Sequence, residues 1–327
     1  MKPGPWQWWM SLITPIVFAG ALGCGRPSAQ ARAGAMPPDS LMQPGALATL
    51  PSQSPDARLA YGSDSSQVGE LRVPTGAGPH PVAVLVHGGC FKAAYATRRD
   101  LAAMGDALKA VGIATWNVEY RRLDQPGGGW PGTYVDVATA IDHLRVLARE
   151  YPLDLSRVVL VGHSAGGHLA LWAAGRARVP LASALHTPEP LPVRGVLDLA
   201  GSVDLTDSIA RYERLCQDAV ITRLMDGSPS TVPEHYASAS PRALLPLGVP
   251  QVILIGEFEA HVPRPLAEAY VRAATQAGDS ARLLIVPGAG HFEIASPRTS
   301  AWPTVLSAIQ TLLDGRPPSR TSAPSPP

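Results

Sequence analysis

The chain has 327 residues, of which 46% are hydrophobic and 16% are charged, so it can bury a sizeable core and its composition argues against wholesale disorder. Its 27 basic and 26 acidic side chains give a formal net charge of +1, which provides no electrostatic reason to expect a nucleic-acid partner. No basic run is long enough to predict a patch that binds a membrane surface.

The N-terminal segment, residues 1–24, is typical of an export signal, because an early lysine precedes an apolar stretch that ends in small residues. Polar residues and Pro15 interrupt this stretch, so it falls short of the roughly 20 apolar residues that a spanning helix needs. "ALGC" resembles a bacterial lipoprotein box, which makes Cys24 a candidate for lipidation and membrane attachment, whereas "AQA" at 29–31 would serve ordinary cleavage. An uncut anchor helix is the third alternative. All three predict an exported protein, either a periplasmic or cell-envelope lipoprotein or a secreted one.

Residues 25–56 are rich in Pro, Ala, Ser and Gln and have no periodicity, which predicts a flexible linker. Residues 315–327 have a similar composition and predict a disordered tail. Between the two segments, residues 57–314 are expected to form one folded domain.

The three cysteines are Cys24, Cys90 and Cys216. If Cys24 is removed or lipidated, Cys90 and Cys216 could form one disulfide in an oxidising compartment. From the sequence alone we favour the other interpretation, two separate buried thiols. No metal-binding spacing such as CxxC or HExxH occurs, so the sequence predicts no metal site.

Short β-branched runs alternate with longer helical patterns across the domain. Because the runs lack polar alternation, they indicate strands that are covered on both faces, and the alternation with helices predicts a parallel sheet. "ARLAY" and "QVGELRV" flank the turn "GSDSS" and predict an antiparallel hairpin at the sheet edge. The predicted strands of the sheet are 82–86, 113–118, 158–161, 195–200, 252–255 and 282–286.

The first strand of the predicted parallel sheet ends in "HGGC", residues 87–90. A glycine pair lets the backbone pass close to a ligand, with the amide of Gly89 or Cys90 turned inward, where it could stabilise an oxyanion. His87 is expected to bond to nearby backbone. The alternative is a tight turn without a chemical role.

"GHSAG", residues 162–166, fits the pattern G-x-S-x-G between a predicted strand and a predicted helix. Such a turn strains the backbone of Ser164, and glycine at both flanks relieves the crowding against the crossing chain. The turn projects the serine oxygen above the carboxyl ends of the strands, where α/β sheets bind ligands. The N–H of Ala165 is left unpaired at the helix start and faces developing negative charge. The alternative is an ordinary turn with a serine helix cap.

Residues 202–248 interrupt the alternation of strands and helices and are longer than an ordinary connection. An insertion of this length predicts a lid or a cap that shapes the substrate site, and the alternative is an irregular surface excursion.

A serine hydroxyl needs a neighbouring base before it can act as a nucleophile. His291 lies in "VPGAGHFEI", directly after the last predicted strand, so it is placed beyond the carboxyl edge of the sheet and can reach Ser164. His163 and His168 are closer in sequence. However, the turn directs His163 away, and His168 falls within the following helix.

The histidine in turn needs an acid that orients it and stabilises its protonated form. The order serine, acid, histidine places this acid between residues 164 and 291, and "VILIGEFEAHVP" supplies Glu257 and Glu259. Two residues apart on an extended chain, both would face the same side, so periodicity cannot choose between them.

Taken in order, the motifs resemble the α/β-hydrolase superfamily, in the branch of arylformamidases, feruloyl and acetyl-xylan esterases and prolyl-oligopeptidase-like hydrolases. The resemblance runs from about residue 61 to 313 and rests on "VLVHGGCF", "GGGWPGTYVDVATAIDHL", "GHSAGGHLA", "EHYASASPRALLPLGVP" and "GAGHFEI". It implies an α/β-hydrolase fold, with a mostly parallel central sheet, helices on both faces and a short cap insertion at about 202–248. In these families the acid segment reads G-x-x-D-x-x-V-P. Laid over "GEFEAHVP", the acid position falls on Glu259, and Glu257 remains the reserve.

The function that the resemblance implies is a carboxylesterase-like serine hydrolase acting on a small-molecule ester or amide without a cofactor. Ser164 would attack the carbonyl with His291 as base, Glu259 would orient His291, and an acyl-enzyme would form. The amides of Cys90 or Gly89 and of Ala165 would hold the oxyanion. The alternatives are an arylformamidase or another amidase or peptidase using the same triad, and a non-catalytic binding protein with a hydrolase fold.

Overall fold

The computed structural model describes residues 41–315. The predicted export signal at 1–24, the lipidation candidate Cys24, the first part of the predicted linker and nearly all of the predicted tail lie outside the described residues. Between residues 41 and 315, no helix is both long enough and apolar enough to cross a membrane.

A single eight-stranded sheet organises the described part of the chain. The strands are β1 (Ala57–Ala60), β2 (Val68–Arg72), β3 (His80–Val86), β4 (Ala114–Val118), β5 (Leu153–His163), β6 (Gly195–Leu199), β7 (Gln251–Gly256) and β8 (Ala281–Val286). Their order across the sheet is β1-β2-β4-β3-β5-β6-β7-β8. Strands β3 to β8 are mutually parallel, and β1 and β2 form the predicted antiparallel hairpin at the edge. The predicted mostly parallel sheet is therefore confirmed.

Helices cover both faces of this sheet. They are α1 (Ala102–Ala110), α2 (Gly132–Asp142), α3 (Leu144–Leu147), α4 (Ala165–Ala174), α5 (Leu205–Cys216), α6 (Val220–Leu224), α7 (Pro233–Ala239), α8 (Arg264–Gln276) and α9 (Trp302–Leu313). Side chains alternate along each strand, so neighbouring residues of β3 enter different cores. Val84 packs in the core beneath α2, α4 and α8, whereas Leu85 packs in the core beneath α1 and α9.

Residues 41–56 lie against the domain, whereas the sequence predicted a flexible linker through residue 56. A short 3₁₀ turn, Leu47–Thr49, places Leu47 in the core beneath α1 and α9, where only 2% of its surface is exposed. The guanidinium of Arg99 donates a hydrogen bond to the carbonyl of Ala48 at 3.1 Å. One buried leucine in an aperiodic stretch leaves no pattern that sequence reasoning detects, which explains the difference.

Residues 202–248 form helices α5, α6 and α7 and a 3₁₀ turn, Pro241–Leu244. This insertion has its own apolar contacts, because Tyr212 and Val220 join the core beneath α2, α4 and α8. The side chains that it turns inward anchor it to the domain.

A disulfide joins Cys90, in the loop after β3, to Cys216, the last residue of α5, and the two Cα atoms are 6.0 Å apart. Our preference for two separate thiols is therefore wrong. The residues are 126 positions apart in the chain, and it is the folding of α5 over the end of β3 that brings them together.

We expect loss of this disulfide to lower the thermal unfolding midpoint. It closes a loop of 126 residues, and bonds of this kind contribute about 2–5 kcal/mol by restricting the unfolded chain. Calorimetry of the wild type and of a Cys90→Ser/Cys216→Ser double variant checks this expectation. A reductant should lower the midpoint of the wild type and leave that of the double variant unchanged. Equal midpoints for the oxidised and reduced wild type would contradict the assignment.

Candidate active site

Ser164 occupies a strained position between the end of β5 and the start of α4. Its backbone has φ of +55° and ψ of −121°, a combination that a residue with a side chain rarely adopts. A Cβ at Gly162 would lie 2.0 Å from the carbonyl oxygen of Gly166, and a Cβ at Gly166 would lie 2.1 Å from that of Val86. The predicted crowding around the serine is thus confirmed, and it arises from close backbone approach on both sides.

His291 and Glu259 form a hydrogen-bonded pair in the loops that follow β8 and β7. The Nδ1 atom of His291 lies 2.9 Å from Oε2 of Glu259 and 3.1 Å from Oε1. Both side chains are almost fully buried, with 5% of His291 and 2% of Glu259 exposed. Because Nδ1 donates to the carboxylate, the Nε2 atom of His291 is left as the proton acceptor.

The carboxylate of Glu259 is held by its own loop. Its Oε1 atom accepts hydrogen bonds from the backbone N–H groups of His261 and Val262, the latter at 3.1 Å. The side chain folds back onto the residues that follow it, and this arrangement takes up its extra methylene relative to aspartate.

Glu257 does not face His291. Its side chain is exposed and accepts a hydrogen bond from the backbone N–H of Gly288 at 2.9 Å. The chain turns immediately after β7, and the N–H of Glu259 donates to the carbonyl of Gly256 at 3.2 Å. This turn separates the two glutamates, whereas an extended chain would have placed them on one side.

The protonation states of Glu259 and His291 suit an orienting acid and a base, respectively. Burial by itself would raise the pKa of Glu259, but hydrogen bonds from His261 and His291 outweigh burial and hold that pKa below its usual range. Burial lowers the pKa of His291, and the bond to Glu259 opposes this effect without cancelling it. At neutral pH the carboxylate is therefore charged and the imidazole neutral, so His291 can accept a proton.

His261 is a part of the site that sequence reasoning did not identify. Its ring stacks on that of His291, with centroids 3.8 Å apart and planes inclined by 20°. Its Nδ1 atom lies 3.4 Å from Oε1 of Glu259. The only signal for it in the sequence is its position two residues after Glu259, which does not distinguish a stacked histidine from a solvated one.

Glu259, His261 and His291 place one donor atom each within 4.8 Å of the others, a grouping that could in principle hold a metal ion. However, the imidazole rings of His261 and His291 are nearly parallel. The lone pairs on their nitrogen atoms therefore do not point toward one common position, as the ligands of a tetrahedral metal ion must. The arrangement therefore fits the orientation of His291 better than metal binding.

Two backbone amides close to Ser164 in the fold or in the sequence, those of Cys90 and Ala165, have no hydrogen-bond acceptor in the described part of the chain. Gly89 has φ of +100° and Cys90 has φ of +52°, and the loop after β3 passes so close to Ser164 that a Cβ at Gly88 would lie 2.8 Å from the Cβ of the serine. Unpaired amides at these positions could hold a developing negative charge.

His87 lies at the start of the loop after β3 and contacts residues that follow β4. Its Nε2 atom lies 2.9 Å from the carboxylate of Glu119, and its ring stacks on Tyr120 at 4.6 Å. The Tyr120 hydroxyl donates to the carbonyl of His87 at 2.7 Å, which fixes the backbone at the start of the loop. The side chain of His87 is thus occupied by structural contacts.

The side chains of the two histidines that are near Ser164 in the sequence, His163 and His168, are also engaged in hydrogen bonds. Nε2 of His163 lies 2.9 Å from the carbonyl oxygen of His291, and burial lowers the pKa of His163 to about 3. His168 bridges the Tyr134 hydroxyl at 2.8 Å and the Ser202 carbonyl at 2.9 Å, and burial lowers its pKa to about 4. Both rings stay neutral and hold the turn in place.

Ser164 and His291 line one cavity of about 250 Å³. Within residues 41–315 no hydrogen bond joins their side chains, and bonds between a nucleophile and its base are often long before a substrate is bound. The other lining residues are Pro44, Gly45, Leu47, Gly88, Gly89, Cys90, Tyr95, Ala96, Asp100, His163, Leu215, His261 and Phe292.

The sequence model of the BD-FAE family matches residues 71–270, a range that includes the loop after β3, the Ser164 turn and Glu259. The chain belongs to the BD-FAE family. His291 lies beyond the matched residues of this family member, so its position rests on the geometry described above.

Two curated relatives are similar to this BD-FAE protein. Esterase LipC of Mycobacterium tuberculosis is 28% identical over 243 residues, which cover 72% of this chain and 59% of LipC. The probable isoprenylcysteine alpha-carbonyl methylesterase ICME of Oryza sativa subsp. japonica is 25% identical over 226 residues, which cover 66% of this chain and 52% of ICME. The chain therefore spans a little over half the length of these relatives.

The fold is also similar to a solved structure, a truncated form of a carbohydrate esterase from gut microbiota. The two superpose with a TM-score of 0.67 at 20% sequence identity, and the superposition covers 80% of this chain and 100% of the other. At this identity the similarity shows the fold alone. Together with the family match, it confirms the α/β-hydrolase fold that the motifs predicted.

We expect Glu259→Gln to lower the pKa of His291 further, because it removes the negative charge that favours the protonated ring. Glu257→Gln is the matched control: it changes the neighbouring glutamate, which bonds to Gly288 on the outside, and should leave that pKa unchanged. Nitrogen-15 NMR of the histidine rings across a pH series measures both values. The reverse result, a change with the Glu257 variant only, would make Glu257 the partner of His291.

Proposed function

We propose that this protein is a serine esterase that hydrolyses a small-molecule carboxylic ester through Ser164, His291 and Glu259. The observation that carries the proposal is the buried hydrogen bond between His291 and Glu259, in a cavity that His291 shares with a serine on a strained turn. The relatives LipC and ICME are both named as esterases, which supports the same reaction class.

In the proposed first step, Oγ of Ser164 attacks the carbonyl carbon of the ester while Nε2 of His291 takes the hydroxyl proton. Glu259 keeps Nδ1 of His291 protonated, so that Nε2 is free to accept. The tetrahedral intermediate then collapses, the alcohol leaves with the proton from His291, and the acyl group remains on Ser164.

In the second step, water attacks the acyl-enzyme and gives a proton to Nε2 of His291. That proton returns to Ser164 when the carboxylic acid leaves, which restores the free enzyme. In both steps the amides of Cys90 and Ala165 donate to the oxyanion, and removal of one such donor typically costs about 10²–10³ in kcat.

We also propose export for this protein, through the predicted signal at 1–24. The disulfide between Cys90 and Cys216 supports this location, because such bonds persist in oxidising compartments. Cys24 is the proposed lipid-bearing residue.

We expect Ser164→Ala to lower kcat/KM for p-nitrophenyl acetate by at least about 10³-fold, because the nucleophile is lost while the oxyanion donors remain. Ser156→Ala is the control, since Ser156 lies on the same strand but is exposed. A fluorophosphonate should label the wild type and the Ser156 variant, and should not label the Ser164 variant. Equal rates for Ser164→Ala and the wild type would refute the mechanism.

A substrate panel separates the remaining activities. Acetyl, butyryl and feruloyl esters, a formyl-aryl amide and a peptide arylamide are compared by kcat/KM on the wild type. The proposal expects ester hydrolysis to dominate, and preference for the formyl-aryl amide or the arylamide would assign an arylformamidase or a peptidase. No turnover of any substrate, together with no fluorophosphonate label, would indicate a binding protein.

We expect the full-length protein, produced in a lipoprotein-processing bacterium, to incorporate an alkyne-labelled palmitate, and Cys24→Ala to lose the label. Cys216→Ala is the control and should keep it. Label is detected after click chemistry on the purified protein. An unlabelled wild type that is recovered from the culture medium would support ordinary cleavage near 29–31.

A further inference from the structure

We propose that residues 44–47 form the wall that limits the size of the substrate, with Leu47 as the specificity-determining residue for an uncharged, apolar substituent of the ester. The inference rests on the proposed esterase function. The segment is N-terminal to the hydrolase motifs and lies outside the family match at 71–270. The inference gives it the substrate-shaping role that we predicted for residues 202–248 from the sequence.

Part of the cavity wall comes from the N-terminal segment at residues 44–47. Pro44, Gly45 and Leu47 all line the cavity that contains Ser164 and His291. In contrast, Leu215 is the one residue between 202 and 248 that lines it. Replacement of side chains in the insertion can therefore change little of the cavity lining, whereas the N-terminal segment contributes three lining residues.

The segment is fixed against the domain at several points. The Leu47 side chain is buried in the core beneath α1 and α9, and Arg99 donates to the carbonyl of Ala48. The backbone N–H of Met42 donates to one carboxylate oxygen of Glu293. Because these contacts hold the segment in place, it can set a defined limit to the size of the substrate.

Glu293 also connects this wall to the loop of the proposed base. Its second carboxylate oxygen accepts a hydrogen bond from the backbone N–H of Gly290 at 3.0 Å, the residue directly before His291. The same carboxylate thus joins the segment at Met42 to the turn that positions the imidazole. The wall and the reacting groups are therefore held at a fixed separation.

The chemistry of the lining indicates the kind of substituent. The lining includes Leu47, Tyr95, Leu215 and Phe292, whose side chains are mainly apolar. The cavity of about 250 Å³ is small beside the roughly 300–1,000 Å³ of typical ligand pockets. The acidic residue of the lining is Asp100, which is buried and caps its own helical turn through the N–H of Thr97 at 3.0 Å. A carboxylate on the substrate would meet the charge of Asp100, so a short uncharged group fits best.

The test compares Leu47→Ala and Leu47→Val with the wild type on two ester series. In the first series p-nitrophenyl esters lengthen the acyl chain from acetyl to octanoyl, and in the second, acetate esters enlarge the alcohol from methyl to benzyl. The readout is the ratio of kcat/KM for the large over the small substrate. This ratio does not depend on the fraction of enzyme that is folded, so a destabilised variant can still be compared.

Leu50→Ala is the matched control. Leu50 belongs to the same segment and packs against the same core, but it does not line the cavity. We expect Leu47→Ala to raise the ratio at least about tenfold in one of the two series, since methylene-sized changes in an apolar pocket discriminate by that amount. Leu47→Val should raise it less, in the same series, and Leu50→Ala should leave it unchanged.

The series that responds shows whether the acyl or the alcohol group contacts the wall. An unchanged ratio in both series for both Leu47 variants, or an equal rise with Leu50→Ala, would overturn the inference. If Leu47→Ala does not fold, Leu47→Val alone decides between these outcomes. Failure of the underlying function is distinguishable, because the wild type would then hydrolyse no ester in either series.

Discussion

The buried hydrogen bond between His291 and Glu259 is the interaction on which the proposed chemistry depends. Two loops that start at neighbouring strands, β7 and β8, must place an imidazole and a carboxylate in contact at a buried position. A buried charge is tolerated only when hydrogen bonds compensate for its lost hydration. Here the backbone amides of His261 and Val262 supply this compensation, so the loop that carries the acid also stabilises its charge.

The second constraint is backbone crowding at the serine. The turn at Ser164 leaves no room for side chains at Gly162 and Gly166, and it is surrounded by neutral histidines that bond to carbonyl groups. These contacts compensate for the cost of a residue at positive φ, which is of order 1–3 kcal/mol. The strained serine and the buried hydrogen-bonded pair of His291 and Glu259 are held by separate elements, and the parallel order of β5 to β8 brings them to the same edge of the sheet.

The sequence predicts the features that have a local pattern. The strands of the parallel sheet, the hairpin and the serine turn each follow from periodicity or from a strand–turn–helix setting, and the position of His291 follows from the end of β8. The choice between Glu257 and Glu259 did not follow from periodicity, because the chain turns directly after Gly256 and only the family pattern pointed to Glu259. Leu47 was missed, and the disulfide was considered but not favoured, for a related reason: both depend on contacts between distant segments, and neither produces a repeat.

The disulfide between Cys90 and Cys216 has a consequence for how substrate reaches the serine. It links the last residue of α5 to the loop after β3, in which Cys90 is a proposed oxyanion donor, and the ion pair of Lys92 and Asp218, at 3.1 Å, reinforces the same junction. Because of this bond, α5 cannot move away from the domain unless the backbone of Cys90 moves with it. On the N-terminal side of the cavity, residues 41–50 are held by non-covalent contacts, namely the hydrogen bonds at Met42 and Ala48 and the burial of Leu47, so the two sides of the cavity differ in the kind of bond that holds them.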